Sequence, residues 1–536
     1  MSPKITLPSP ARMRKLRKTQ VKTCKDLTQK ILDESAAKAA AEAAAAAAAV
    51  GVTEAKLMAA ELKAWHEDLQ QRLGKIIAHP KQNLGFIEVE IARASKEPQR
   101  LLAQRAAQAK ANATAFLCGD CKAPLGREQM LGRTIRSSYG DLRIYRRHGY
   151  CNQCEKWHFP ADLTLGLQAH CPASPYLQEV VALLGSKMPS EQAAQVAERF
   201  GLDLSRCFIH REGLRQGLKA QEVRQKHLEE LDTWEGLQKL ATQKQEPGTA
   251  PFTLVIEIDA WNIRERDFWT LTELMRQKAL EDKTEMPSRW HWVYVGTVFR
   301  LDHRSQTSGH RAVISQRRYA CTRLGVEALM RQLYRQAIDC GLGQAKEVLV
   351  IADGAVWIWN ATQDRFPQAI NRLDLYHAEE HLWEVANDLY GKGTPEARDW
   401  VAPLLKQVRN DQHAAMIQSL KEVQSQVGEK LSKKVQSQID YFKNNENRMK
   451  YKAVIQARKA VEKGTATEAQ KIKAAEPLGS GAIESTCRQY QCRFKRTGQF
   501  WSMVGDEALM CLETFWRNGR WHDLFPHATP PPHANN

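Results

Sequence analysis

Four cysteines and three acidic residues carry the chemistry legible in this sequence. Cys118, Cys121, Cys151 and Cys154 form the pattern CxxC-x29-CxxC. Each CxxC knuckle can bring two thiolates to one point, and four thiolates complete a tetrahedral zinc site. A closed set of four leaves no open position, so such a zinc is structural. The alternative is two unrelated pairs or a redox pair, and no thioredoxin-like context surrounds them. His148 and His158 lie near enough in the sequence to replace a cysteine, but four cysteines already make the set. Asp259 ends the apolar run TLVIEID, and Asp353 ends VLVIAD and is followed by Gly354. A carboxylate at the exit of a buried strand sits on the rim of its sheet. Alone, such an aspartate is most simply a cap or turn residue. Two of them, 94 residues apart in one α/β unit, can share a hard cation, Mg²⁺ or Mn²⁺. Glu484 lies in GSGAIEST, whose glycines permit a tight turn before a helix. Along that helix Glu484, Arg488, Gln491 and Lys495 share one face. A carboxylate with cations trailing from it suits a DNA strand. The plainer alternative is a surface helix with a Glu484–Arg488 salt bridge.

These side chains need elements to hold them. Two short strands, Arg133 to Ser138 and Leu142 to Tyr150, with a turn at Tyr139-Gly140-Asp141, close the gap between the cysteine pairs. Arg133, Arg136, Arg143, Arg146 and Arg147 on this hairpin either face phosphate or form a solvated strand face. Residues 174–220 read as three short helices with a glycine turn at Gly201, the spacing of a helix-turn-helix. Arg206, His210, Arg211 and Arg215 on the third helix favour DNA binding over a plain connector. A charged helix follows over 221–250, ending in the linker QEPGTA. Then the period changes. Phe252 to Ile258, Trp290 to Arg300, Glu347 to Ala352 and a segment within Ala369 to Tyr376 read as strands, with a helix over Gly325 to Asp339. This order predicts an α/β sheet. From His377 to about Ile472 the apolar spacing is helical, as at Leu382, Val385, Ala386 and Leu389. Trp261, Trp357 and Trp359 lie near the acids. They could stack on unpaired bases, but core packing is the blander expectation, with Trp357 and Trp359 on one face if that segment is extended.

The predicted organisation is multidomain α/β plus α. A basic, Ala-rich helical region covers 1–115, the cysteine segment 116–173, and the helix-turn-helix with its linker helix 174–250. A sheet-based core occupies 251–376 and 478–525, with a helical insertion over 377–477 and a Pro-rich tail over 526–536. The first 25 residues hold eight Lys or Arg and no acid, read either as a solvated tail or as an arm on DNA phosphate. Net charge is +17, which points to a polyanionic partner. The apolar run Ala43 to Val52 is too short to span a bilayer, and MSPKITLPSP lacks a signal-peptide core. A cytoplasmic protein binding nucleic acid, and no membrane, is therefore expected. Twelve scattered or CxxC-paired cysteines fit a reducing compartment.

The segments ADGAVWIWN (352–360), RLDLYHAEEHLW (372–383), YFKNNENRMKY (441–451) and LGSGAIES (478–485) together resemble bacterial insertion-sequence transposases of the ISKra type. The resemblance spans about residues 115–525. It implies a DDE enzyme with an RNase H-like catalytic core, interrupted by the helical insertion and preceded by a zinc ribbon and the helix-turn-helix. It also implies that Asp259, Asp353 and Glu484 are the catalytic acids. Asp374 and His377 resemble the [C/D]xxH motif of related transposases, which supports the core and contacts DNA. Equally, these two residues could bond to each other or to backbone at the strand end. His377 and His381 also have metal-ligand spacing, without a further ligand in sight. The implied partners are the element's ends, target DNA and further copies of the chain at the bacterial nucleoid. Two other readings are a zinc-containing DNA-binding protein that does not cleave, and an RNase H-like nuclease that cuts without joining.

Overall fold

The computed structural model describes residues 62–79, 81, 83–242, 252–264, 281, 290–306 and 312–528. The basic N-terminal arm, the Ala43 to Val52 run, the QEPGTA linker and the tail from residue 529 lie outside the described residues. The fold is multidomain and mixed α/β. Two compact units divide the chain: residues up to Val181 with Ala194–Ser205, and Ala182–Ala193 with the chain from Arg206 onward.

In the first unit, a helix over 62–77 precedes α1 (Leu84–Asn112). The antiparallel hairpin β1 (Gly126–Ser137) and β2 (Gly140–Cys151) follows, with β3 (Lys156–His158) paired to the end of β2. The strands run longer than the sequence indicates. Ser137 pairs with Gly140, so the turn residues are Ser138 and Tyr139, and Gly140 takes φ 122°. Alternation along β2 buries Leu142, Ile144 and Arg146. The open edge of β2 is covered by α1, which satisfies its backbone. The Arg143 N–H donates to Gln104 Oε1 (2.9 Å), and Gln108 both accepts from the Tyr145 N–H and donates to its carbonyl, each at 2.7 Å. Beyond β3 comes a short helix, α2 (Pro160–Thr164). Its Asp162 receives Arg133 (2.8 Å) and Arg146 (2.6 Å), and Arg147 donates to the Thr114 carbonyl. Three of the five hairpin arginines thus serve the fold of this unit. Arg143 stays exposed, and Arg136 is half-buried, 3.6 Å from Asp141.

Helices α3 (Pro175–Lys187) and α4 (Ser190–Arg199) are divided between the units, and α5 (Arg206–Glu229) belongs to the second. The expected separate helices over 205–220 and from 221 are one continuous helix. Its central Gly213 and Gly217 do not break it; a Cβ at Gly217 would come within 2.7 Å of the Ala508 backbone, so glycine there admits a close helix crossing. The segment 174–250 therefore does not stand as a unit of its own: α5 packs along α16 (Met503–Arg517). A short helix, α6 (Trp234–Thr242), follows it.

The second unit is built on a five-stranded sheet of order β10-β9-β4-β5-β8. Its strands are β4 (Thr253–Arg264), β5 (Trp290–Arg300), β8 (Arg318–Thr322), β9 (Glu347–Ala352) and β10 (Ile370–Leu373). The strands β4, β5 and β8 form an antiparallel meander, and β9 and β10 extend it in parallel with β4. β8 and the small hairpin of β6 (Arg304–Gln306) and β7 (Ala312–Ile314) were not expected from the sequence. Helices cover both faces. Even-numbered Leu254, Ile256 and Ile258 face one core with α7 (Val326–Asp339), α8 (Val356–Arg365) and the insertion helices. These are α9 (Leu375–Tyr390), α10 (Pro395–Arg409), α11 (His413–Gln426), α12 (Glu429–Asn445), α13 (Lys452–Glu462) and α14 (Glu468–Ala475). Leu382, Val385, Leu404, Leu420, Ile439 and Phe442 bury here with the strands, so the insertion shares the sheet's own core. Odd-numbered Trp261 and Ile263 face the other core, with Ile483, Cys487, Tyr490 and Phe494 of α15 (Gly481–Phe494) and with α16. No helix among the described residues is long and apolar enough to cross a membrane.

Candidate active site

The parallel register of β4 and β9 runs from Thr253 opposite Glu347 to Glu257 opposite Ile351. Asp259 follows two residues on in β4, and Asp353 is the first residue past β9, near enough for its charge to act on Asp259. Both are half-buried, but only Asp353 leaves its strand: β4 does not end at Asp259 as the apolar run suggests, since pairing with β5 carries it on to Arg264. Period two also puts Glu257 and Asp259 on the face that carries α15. The Ile483 N–H donates to Glu257 Oε2 (2.7 Å), and one turn later Cys487 Sγ donates to Asp259 Oδ2 (3.4 Å). The match is geometric: four helical residues rise about 6 Å and two strand residues about 6.6 Å, so α15 runs in step with β4. Glu257 is fully buried at the first turn of α15, where N–H groups lack partners. Burial pushes its carboxyl up to about 8, against the pull of the Ile483 N–H. For Asp259 burial also raises the carboxyl; the Ala260 N–H and Cys487 thiol oppose it, Asp353 adds repulsion, and His377 lowers it.

Asp353 leaves β9 into a turn that only glycine can follow. Its Oδ1 accepts from the Ala355 N–H (3.0 Å). Gly354 has φ 102°, and a Cβ there would meet the Tyr441 ring at 2.8 Å. The chain then enters α8. The segment of Trp357 and Trp359 is thus helical, and the two rings do not share an extended face. Trp359 is buried and donates to Asn445 Oδ1 (2.9 Å), while Trp357 meets Tyr294 edge-on. Trp261 is buried as well. None of the three is a base-stacking platform.

Glu484 stands on the first turn of α15, exposed, as are Arg488 and Lys495; Gln491 is half-buried. Among the described residues no salt bridge joins Glu484 to Arg488. The carboxylate of Glu484 groups instead with Asp374 and His377, their ligand atoms lying within 4.8 Å of one another. Asp374 is fully buried and saturated. Its Oδ1 accepts from the N–H groups of Tyr376 (2.6 Å) and His377 (3.2 Å), and its Oδ2 from the N–H and hydroxyl of Ser480, both 2.6 Å. It caps α9 and joins that cap to the turn into α15, bonding to backbone and to the Ser480 hydroxyl. His377 Nδ1 lies 3.3 Å from Glu380. His381 bonds Gln438 (2.7 Å) and lies tilted against the Tyr441 ring. The rim therefore holds two groupings, the neighbouring pair Asp259–Asp353 and the set Glu484–His377 beside Asp374, with His377 close enough to act on Asp259. Asp259, Asp353 and Glu484 do not by themselves form one tight ligand cluster. An oxygen-rich set of this kind fits a hard divalent cation. The sequence assigns Tyr441 no role; for Glu257, strand parity with Asp259 is the one signal that places it near the site, and the structure bonds it to the first turn of α15.

The cysteine site is closed. Sγ atoms of Cys118, Cys121, Cys151 and Cys154 lie within 4.8 Å of one another, with Cys118–Cys154 at 3.8 Å and Cys121–Cys151 at 3.5 Å. A tetrahedron with metal–sulfur bonds of about 2.3 Å has sulfur–sulfur edges of about 3.8 Å. None of the four is in a disulfide. Both knuckles have the same backbone: Lys122 (φ 63°) and Glu155 (φ 53°), each just after the second cysteine, are left-handed. His158 Nε2 lies 3.4 Å from Cys118 Sγ, and His148 stacks between Trp157 and Phe159. This donor set fits a soft four-coordinate ion.

On α5, Arg206, His210 and Arg211 are exposed. Arg206 lies 3.5 Å from Glu191, whereas Arg215 is held 3.3 Å from the buried Glu212. Three of the four basic side chains expected to meet DNA are therefore presented, and Arg215 is engaged within the helix.

Residues 338–523 match an uncharacterised protein family, UPF0236. That segment carries Asp353, Asp374, His377 and Glu484 but not Asp259 or the cysteines. No curated protein matches the chain.

Proposed function

We propose that this protein is a DDE-type DNA transposase with an RNase H-like core, a structural zinc on Cys118, Cys121, Cys151 and Cys154, and Mg²⁺ or Mn²⁺ at Asp259, Asp353 and Glu484. The observation that carries the reading is the nearness of Asp259, inside β4 just past its pairing with β9, to Asp353, just past the end of β9, with Glu484 opening a helix locked to the same face. The mixed five-stranded sheet, with its first strand central and two parallel strands beside it, supports the RNase H-like core. Net charge of +17 supports a DNA partner.

Asp259 would hold the cation site from within β4 and Asp353 from the turn just past β9. Glu484 adds a carboxylate from α15, whose start is fixed by Asp374 and Glu257. Bound divalent ions would lower the pKa of an attacking water and stabilise the leaving 3′ oxygen. Arg488 and Lys495, on the face that carries Glu484, are suited to neutralise phosphates of the strand crossing the site. Arg206, His210 and Arg211 on α5 are suited to the element's terminal DNA. The products are a freed 3′-hydroxyl and then its joining to target DNA, with copies of the chain assembled on the two ends at the nucleoid. Incubation with the element's ends, a target plasmid and Mg²⁺ tests this. Joined product supports a transposase. Cleavage without joining points to a nuclease, and binding without cleavage to a DNA-binding protein.

A further inference from the structure

The segment YFKNNENRMKY (441–451) takes no direct part in the proposed chemistry, yet its side chains converge on the two strand ends that carry Asp353 and Asp374. The Tyr441 hydroxyl donates to the Asp353 carbonyl (2.7 Å). Its ring lies against Gly354, where any side chain would collide. Asn445 accepts from the buried Trp359 Nε1 and donates to the Tyr441 carbonyl (3.0 Å), which ties α8, the helix after Asp353, to α12. Arg448 lies 4.8 Å over the Trp359 ring. The hydroxyl of the fully buried Tyr451 donates to the carbonyl of Leu373 (3.0 Å), the residue before Asp374. Its backbone N–H in turn donates to Asp411 (2.8 Å).

We infer that this end of the helical insertion is a strap that positions the cation site, with Tyr441 as the residue that fixes Asp353. The inference rests on the proposed metal-dependent reading. The physical argument is one of freedom. Asp353 sits past the last paired residue of β9, so the ladder no longer holds its backbone. A half-buried phenol bonded to its carbonyl, packed on a glycine that leaves no slack, restores that restraint. Tyr441 is a positioning residue: it bonds to the carbonyl of Asp353, not to its carboxylate.

Tyr441→Phe keeps the ring against Gly354 and His381 and removes only the hydrogen bond. Mn²⁺ binding to the full chain, read as loss of the free-ion paramagnetic resonance signal, tests the strap without requiring DNA. Wild type and Asp353→Asn are measured beside it, with Tyr451→Phe as a second strap variant and thermal melting as the check on folding. The expected result is an Asp353-dependent site whose Mn²⁺ dissociation constant rises about three- to tenfold in Tyr441→Phe, the scale of one hydrogen bond, with an unchanged melting temperature. Tyr451→Phe should weaken Mn²⁺ less, because it acts on the neighbouring strand. Wild-type affinity in Tyr441→Phe, with binding still lost in Asp353→Asn, overturns the strap and leaves the metal site standing. Absence of Asp353-dependent binding in the wild type overturns the metal reading and the strap together.

Discussion

The cysteine site and the acid site solve the problem of gathering ligands in opposite ways. Each cysteine pair is gathered by local sequence: two residues of spacing and a left-handed residue after each knuckle bring four sulfurs within 4.8 Å. The acids come from β4, the end of β9 and the first turn of α15, and only remote contacts align them. Asp259 and Asp353 are set by strand register, whereas Glu484 groups with His377 and depends on Asp374 and Glu257 at the start of its helix. A knuckle site can close around its ion without a substrate. A rim site with one ligand displaced from the other two depends on the contacts that hold its strands and helix in place.

Breaking the closed site should have the largest effect. Structural zinc contributes on the order of 10 kcal/mol of apparent folding free energy in small modules. Cys151→Ser should take zinc from about one per chain to none, read by metal analysis. Amide protection over 116–173 should fall in hydrogen exchange. A well-folded wild type without metal would remove the contrast between the sites.

Breaking the support of the rim should cost less. In Asp374→Asn, one of the four hydrogen bonds or more meets an amide N–H₂ in place of an oxygen. That leaves buried donors opposed, a loss of about 1–3 kcal/mol in a denaturant melt. Unchanged stability would mean that the turn into α15 is held without Asp374.

Much of this contrast could be read from the sequence. CxxC spacing carries its own geometry, and the apolar run before Asp353 marks a strand exit, as β9 ends at Ala352; the run before Asp259 does not, because β4 continues to Arg264 along its antiparallel partner β5. The helix face of Glu484, Arg488 and Lys495 is exposed as its spacing predicts. What stayed hidden depends on tertiary contact. AVWIWN is rich in β-branched and aromatic residues, so its sequence leaves extended and helical forms open, and it is helical, with Ile358 and Trp359 in the core shared with the insertion. The sequence divides 205–220 from the charged helix over 221–250, although α5 runs unbroken through both, with Gly217 admitting a close crossing with α16. The roles of Arg133 and Arg146 depend on Asp162, and that of Glu257 on Ile483, more than 200 residues away, pairings that no local pattern encodes.

The smallest effect separates two neighbours on α5. Arg211 is exposed, whereas Arg215 is engaged with Glu212. Arg211→Ala should weaken binding to the element's ends by about 1–3 kcal/mol if it reads a base, with Arg215→Ala losing less affinity and some stability instead. Fluorescence anisotropy across a salt series reads the first, and melting the second. Equal, wild-type affinity in both variants would make α5 a structural helix alone.

The most direct test of the acid triad is strand transfer by its amide variants, with end binding measured on the same preparations. Asp259→Asn, Asp353→Asn and Glu484→Gln should each lower cleavage and joining by on the order of a thousandfold or more. DNA-end affinity should hold or tighten, because a negative charge beside phosphate is removed. The losses should not add in double variants, since the ions need the whole set. Full strand transfer in Glu484→Gln, with the two aspartate variants dead, would assign the third ligand elsewhere on the rim. Unimpaired joining in all three would contradict the DDE assignment.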